Sequence, residues 1–100
     1  MDIKLVNRGT TGELILNGRL DSSNASGFEE IVMQAADRFE TLVLNMGGMD
    51  YTSSAGIRII KNTLTRMDHN GGKLVIKAAR PSVVEVLEMT GFAAYMTFEE

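Results

Sequence analysis

Cysteine is absent from the chain, and histidine occurs once in its 100 residues. Without thiols there is no disulfide and no thiolate metal site, and one histidine leaves a structural zinc ion short of ligands. The lack of cysteine fits the cytoplasm. An excess of basic residues is also missing. Ten Lys and Arg stand against thirteen Asp and Glu, for a net charge of −3 and a pI near 5.1. A nucleic-acid binder would carry a basic patch, so nucleic acid is not an expected partner. No apolar run approaches the ~20 residues that span a bilayer. Met1-Asp2-Ile3-Lys4 lacks the basic and then apolar regions of a signal peptide, so neither a membrane contact nor a leader is expected. There is no GxGxxG, no GxxxxGK followed by Ser or Thr, and no GxSxG elbow. No cofactor is implied. No linker, repeat or low-complexity segment interrupts the chain.

What is present is the composition of one globular domain, 44% apolar and 23% charged, with room for a single core. The most informative stretch runs from Asn45 to Arg58. It follows Thr41-Leu42-Val43-Leu44, an apolar run that reads as a buried strand. It precedes Ile57, Ile60, Leu64 and Met67, which share one helix face. The stretch therefore reads as a strand-to-helix loop, with Thr52-Ser53-Ser54 where a helix N-cap belongs. Adjacent hydroxyls at a helix start serve as caps. They also suit a site where phosphate is added, because free N–H groups and the helix dipole favour an anion there.

In chain order, Ile3 to Val6 and Glu13 to Asn17 read as two strands of a hairpin, joined through Arg8-Gly9-Thr10-Thr11-Gly12. A helix follows the cap-rich Gly18 to Asn24, starting on either side of Ser26, whose spacing to Glu29 is that of a capping box. Ala25, Phe28, Ile31, Val32, Ala35 and Ala36 form its apolar face. The second helix spans about Ser54 to Asp68 and stops at Asn70-Gly71-Gly72. Leu74 to Ile76 is a strand. Pro81 opens a third helix, with Val83, Val84 and Leu87 inward and Gly91 as its cap. Tyr95 to Phe98 reads as a short edge strand. Strands alternate with helices after the hairpin, so the class is α/β.

In such sheets the functional loops gather at the carboxyl ends of parallel strands. If the second and third strands are parallel neighbours, Asp21 and Ser54 share one edge. On the second helix Ser54, Arg58, Lys61 and Thr65 form a polar stripe, which is either a plain solvated face or a surface that a partner reads. Asp50 reads either as a turn residue after Gly47-Gly48, glycines suited to a tight turn, or as part of the site. Asp21 reads equally as a helix cap. A serine hydrolase needs a base beside its nucleophile. The only histidine, His69, lies more than about 20 Å from Ser54 along the same helix and reads as a residue of the helix end. A self-contained triad is therefore not expected. Nucleotide binding has only Asp21 and the loop glycines to suggest it.

Tyr51-Thr52-Ser53-Ser54-Ala55-Gly56-Ile57-Arg58 resembles the signature of STAS domains of the anti-sigma-factor-antagonist type. Gly18-Arg19-Leu20-Asp21, Gly72 to Ile76 and Val86 to Phe92 extend the resemblance along nearly the whole chain. It implies a single STAS-like domain over residues 1–100, with a mixed central sheet covered by helices. It also implies a non-enzymatic role. The unphosphorylated antagonist binds an anti-sigma factor that is also a serine kinase of the ATPase fold. Phosphorylation at the helix-start serine breaks the complex, and a PP2C-like phosphatase restores it. Aligned on Gly56-Ile57, the family's serine or threonine pair falls on Ser54 and Ala55, which makes Ser54 the acceptor and Ser53 the alternative. Ser53 and Asn45 stand where many members carry aspartate, so local negative charge is reduced, with Asp50 nearby as a substitute. Asp21 matches an aspartate near the phosphorylation site in some members. The partner-binding set is then Asp21, Asp50, Thr52, Ser53, Ser54, Arg58 and Lys61. A STAS-type scaffold or sensory module that is not phosphorylated is the alternative function.

Overall fold

The computed structural model describes residues 1–100. The elements are β1 (Asp2–Arg8), β2 (Thr11–Leu20), α1 (Ala25–Arg38), β3 (Thr41–Thr52), α2 (Ser54–His69), β4 (Lys73–Lys77), α3 (Pro81–Met89), a 3₁₀ turn (Ala93–Tyr95) and β5 (Thr97–Glu99). The five strands lie in chain order across one sheet. β1 is antiparallel to β2, and every later neighbouring pair is parallel. Each parallel pair is joined through a helix or, for β4 and β5, through α3 and the 3₁₀ turn. Right-handed crossovers made repeatedly in one direction put all these connections on the same face.

The pleat agrees with this one-sided arrangement. Leu14 and Leu16, Leu42 and Leu44, and Leu74 and Ile76 point to a single core with Phe28 and Val32 of α1, Ile57 and Ile60 of α2, and Val83 and Leu87 of α3. The alternate residues of the same strands, among them Glu13, Val43 and Val75, face the other way, since strand side chains alternate with a period of two. Helices therefore cover one face of the sheet, not both. No helix is long and apolar enough to cross a membrane.

The α/β order stands as read from the sequence, but several boundaries move. The hairpin link is two residues, Gly9 and Thr10, rather than about five, with Gly9 at φ 77°. β2 continues to Leu20 and β3 to Thr52, well past Asn17 and Leu44. Gly47-Gly48 accordingly lies within a strand and makes no tight turn. The two long strands stay paired by shifting register between Ile15 and Asn17 and again between Gly18 and Arg19. At Gly48 a Cβ would run into the Asn17 side chain, so the glycine permits a close approach of strands instead of a reversal.

Helix α1 starts at Ala25, with Asn24 rather than Ser26 at the N-cap. Ile31, expected in the core, is 43% exposed because it sits at the margin of α1 above the outer strand β1. Val84 is only half-buried, whereas Val83 and Leu87 are inward as expected. Gly91, at φ 79°, follows the C-cap Thr90 of α3. Tyr95 is in the 3₁₀ turn and exposed, which leaves β5 only three residues long.

Candidate partner-binding site

The carboxyl ends of β2, β3 and β4 open on one edge of the sheet. β2 and β3 are parallel neighbours, with Leu20 beside Thr52, and the Ser53 N–H donates to the Leu20 carbonyl at 2.8 Å. That bond brings the β2–α1 loop, with Asp21, against the start of α2, with Ser53 and Ser54. Gly56 allows this closeness, since a Cβ there would collide with Leu20 and the Thr52 hydroxyl. The site therefore forms between short connections on a rigid scaffold.

Ser53 and Ser54 have different surroundings. Ser53 is the N-cap of α2, in extended backbone, and its half-buried Oγ accepts from the Gly56 N–H at 3.3 Å. Thr52 is half-buried too, and its hydroxyl donates to the Ser53 carbonyl at 3.3 Å. Ser54 is the first residue of α2. It is exposed, and its hydroxyl takes no part in the N-cap hydrogen bond, which Ser53 makes. One serine is used by the fold and the next is free.

Asp21 has a structural task. Its Oδ1 accepts from the Ser23 N–H at 2.9 Å and the Ser23 hydroxyl at 2.5 Å, while its own N–H donates to Asn24 Oδ1 at 2.9 Å. Asn24 also donates to the Arg19 carbonyl at 2.8 Å, closing the loop. The Ser23 hydroxyl, then the Ser23 N–H, hold the Asp21 carboxyl below its ordinary pKa, with Arg19 adding to this. Asp50 is exposed and lies 3.5 Å from the Arg80 guanidinium. Arg58 is exposed. Lys61 is half-buried, with its ammonium 4.6 Å from the centre of the Phe92 ring, a cation–π contact that ties α2 to the segment after α3. The stripe on α2 is thus open at Ser54, Arg58 and Thr65 and partly covered at Lys61.

Three residues at this edge were not in the expected partner-binding set, although Arg19 and Tyr51 lie within the motifs that carry the resemblance. The Arg19 guanidinium lies 4.6 Å from the Tyr51 ring centre, beside Asp21 at 3.8 Å. Arg80, in the β4–α3 connection, donates from Nε to the Met49 carbonyl at 2.9 Å and so straps that connection onto β3. Its place could have been found by counting the third strand-to-helix connection, which must open on the same edge. Ala78, two residues before it, has φ 58°, a left-handed conformation that costs an L-residue about 1–2 kcal/mol.

Asn45, by contrast, is away from the hydroxyls. It lies on the helix-free face, where its Nδ2 donates to Glu13 Oε2 at 2.9 Å and its Oδ1 accepts from the Gly47 N–H at 3.1 Å. Arg8 meets the other Glu13 oxygen at 2.7 Å, and Lys77 approaches to 3.8 Å. Glu13 is almost fully buried, under the Arg8, Asn45 and Lys77 side chains that converge on it. The Asn45 and Arg8 hydrogen bonds outweigh desolvation and hold its carboxyl below the usual range. No sequence signal marks this cluster, because Arg8, Asn45 and Lys77 are far apart in the chain and meet only through the strand register.

The STAS domain profile matches residues 2–100. The chain belongs to the STAS domain family. BtrV of Bordetella bronchiseptica, a candidate anti-sigma factor antagonist by name, is 36% identical over 78 residues, covering 77% of this chain and 67% of BtrV. A candidate anti-sigma factor antagonist from Thermotoga maritima superposes with a TM-score of 0.84 at 20% identity, over 99% of this chain and 85% of that one. The Bacillus cell-fate determinant SpoIIAA, in its phosphorylated form, superposes with a TM-score of 0.80 at 16% identity, over 97% and 90% of the two chains. These structures share the fold of this STAS domain. STAS anti-sigma factor antagonists are regulatory proteins and not enzymes.

Proposed function

We propose that this STAS domain is an anti-sigma factor antagonist in a cytoplasmic partner switch, in which phosphorylation of Ser54 releases its partner. The observation that carries the proposal is the contrast between the two serines: Ser53 Oγ is committed to the Gly56 N–H, whereas Ser54 is exposed and free at the start of α2. The partner is an anti-sigma factor that is also a serine kinase of the ATPase fold, and a PP2C-like phosphatase resets the switch. The likeness to BtrV and to the SpoIIAA fold, solved in unphosphorylated and phosphorylated forms, supports this reading.

The physics favours release without unfolding. A phosphate adds roughly −1.5 to −2 charges and three acceptor oxygens. At a helix N-terminus that charge stabilises the helix by about 0.3–1 kcal/mol. Across an interface the sign reverses where the partner is acidic. Two unit charges ~4 Å apart interact by ~4 kcal/mol at an effective dielectric of ~20. At ~1.4 kcal/mol per tenfold, one acidic group opposite Ser54 weakens binding by about two to three orders of magnitude. Asp21, Asp50, Thr52, Arg58 and Lys61 then form the surrounding contact surface, joined by Arg19, Tyr51 and Arg80.

The test is affinity capture from native lysate with the wild type, Ser54→Ala and Ser54→Asp as baits, together with phosphopeptide mapping of the endogenous protein. A serine kinase held by the first two baits and lost by the third, with phosphate on Ser54, supports the switch. Equal capture by all three, with no phosphate on Ser53 or Ser54, leaves a scaffold.

A further inference from the structure

The two edges of the sheet differ. β5 is three residues long, whereas β1 runs for seven residues in an unbroken, bulge-free register with β2. Outside that ladder, none of residues 2–8 makes a backbone–backbone hydrogen bond. Long flat edges of this kind pair with further strands unless they are blunted. Beside this edge lies a groove of about 210 Å³ lined by Ile3, Leu5, Ile31 and Phe39 among others. Leu5 and Ile31, 41% and 43% exposed, are two of the large apolar side chains the fold leaves in water. An unpaired strand edge next to an apolar groove is the arrangement that strand addition uses, with main-chain bonds for affinity and side-chain contacts for register.

We propose that β1 pairs antiparallel with β1 of a second copy of this chain, with Leu5 on the two-fold axis. The charges and the length of the strand select this register: centring on Ile3 also opposes Asp2 and Lys4 but pairs only residues 2–4 of β1, whereas centring on Leu5 pairs all seven. A two-fold pairing places one residue opposite its own copy. With Leu5 at that point, Asp2 of each chain faces Arg8 of the other, twice over, and Lys4 faces Val6. Centring on Lys4 would oppose two lysines, and centring on Val6 would oppose Lys4 and Arg8 twice. Opposite charges directly across strands stabilise the pairing and like charges oppose it. Arg8 gives one guanidinium nitrogen to Glu13 and remains 53% exposed, so its other donors are available to the second chain's Asp2. Leu5 of both copies, with Ile31 beside each, would close the apolar groove over the axis. Because the two-fold axis reverses the strand direction, the two Ser54 sites fall at opposite ends of the continuous sheet. The dimer thus presents two separate sites, and the pairing stands or falls independently of phosphorylation.

Sedimentation equilibrium on the purified full chain, up to about 1 mM, tests this. The expected result is a reversible dimer at twice the 10.9 kDa chain mass. Asp2→Arg and Arg8→Asp should each weaken dimerisation by at least about tenfold. An equimolar mixture of those two variants should regain the dimer as a heterodimer, because Arg at position 2 of one chain then faces Asp at position 8 of the other, and the remaining pair is the native Arg8 and Asp2. Arg8→Asp also faces Glu13. If it fails to fold, Leu5→Lys, at an exposed position and opposed to its own copy, carries the test beside Asp2→Arg. A wild type that remains monomeric overturns the proposal. So does a dimer that folded Asp2→Arg and Leu5→Lys leave unchanged.

Discussion

At the scale of single residues, the proposed switch rests on the different surroundings of Ser53 and Ser54. Ser53 holds the helix start through the Gly56 N–H, so Ser53→Ala should cost about 1 kcal/mol, read as a fall of about 4–8 °C in Tm, while phosphate incorporation at Ser54 persists. A variant that keeps its Tm but accepts no phosphate would reverse these roles. The hydroxyl-rich motif was legible in the sequence because adjacent Ser and Thr before an apolar helical pattern mark an N-cap. Which hydroxyl is free was not, because that depends on backbone torsions at Ser53.

The Glu13 cluster gives a second prediction at this scale. Its folded pKa lies below the ordinary value of 4.5, so its stabilising effect is complete above that value and fades as pH falls towards the folded pKa. Asp37, bonded first by Arg66 and then by Asn70, and Asp21 have the same sign but sit at the surface, where screening leaves little effect. Urea unfolding below about pH 4.5 should therefore show wild-type stability dropping more steeply than that of Glu13→Gln. Parallel acid limbs for the two proteins would contradict this. Asn45→Asp removes the donor and sets a second carboxylate against Glu13, which explains why an amide suits this position in this chain.

Among the elements, β3 departs furthest from expectation. Its apolar start was readable from Leu42 to Leu44, but Asn45 to Asp50 has the composition of a loop. The strand persists because β2 also runs long and pairs with it through two register shifts, with Gly48 leaving space for Asn17. Tertiary pairing overrode local propensity here, as is common for strands. Helix α2 was legible nearly to the residue, because its apolar face, its cap and its Asn70-Gly71 stop all agree. The β4–α3 connection supplies the prediction at this scale. Ala78 sits at φ 58° to turn the chain so that Arg80 reaches Met49 and Asp50. Ala78→Gly should relieve this conformation and raise stability by about 1 kcal/mol, checked by urea denaturation. A destabilised variant would show that the loop conformation carries no such cost.

For the whole molecule, the important feature is a sheet with helices on one face and its strand-to-helix connections on one edge. That geometry brings the Asp21 loop against the start of α2 at Ser54, sets Arg80 of the third such connection against Met49 and Asp50, and leaves β1 as an outer strand with one free edge. The scaffold beneath Ser54 is a continuous core, so under the proposed switch a charge added at that exposed hydroxyl is expected to change what the surface binds and not how the chain folds. The most direct measurement is a pair of titrations of the captured kinase, one with the unphosphorylated chain and one with the chain phosphorylated at Ser54, alongside thermal melts of both. Binding weakened by about a hundredfold or more, with Tm unchanged or slightly raised, is the predicted result. Equal affinities for the two forms, or a phosphorylated chain that melts well below the unphosphorylated one, would contradict a switch that acts at the surface.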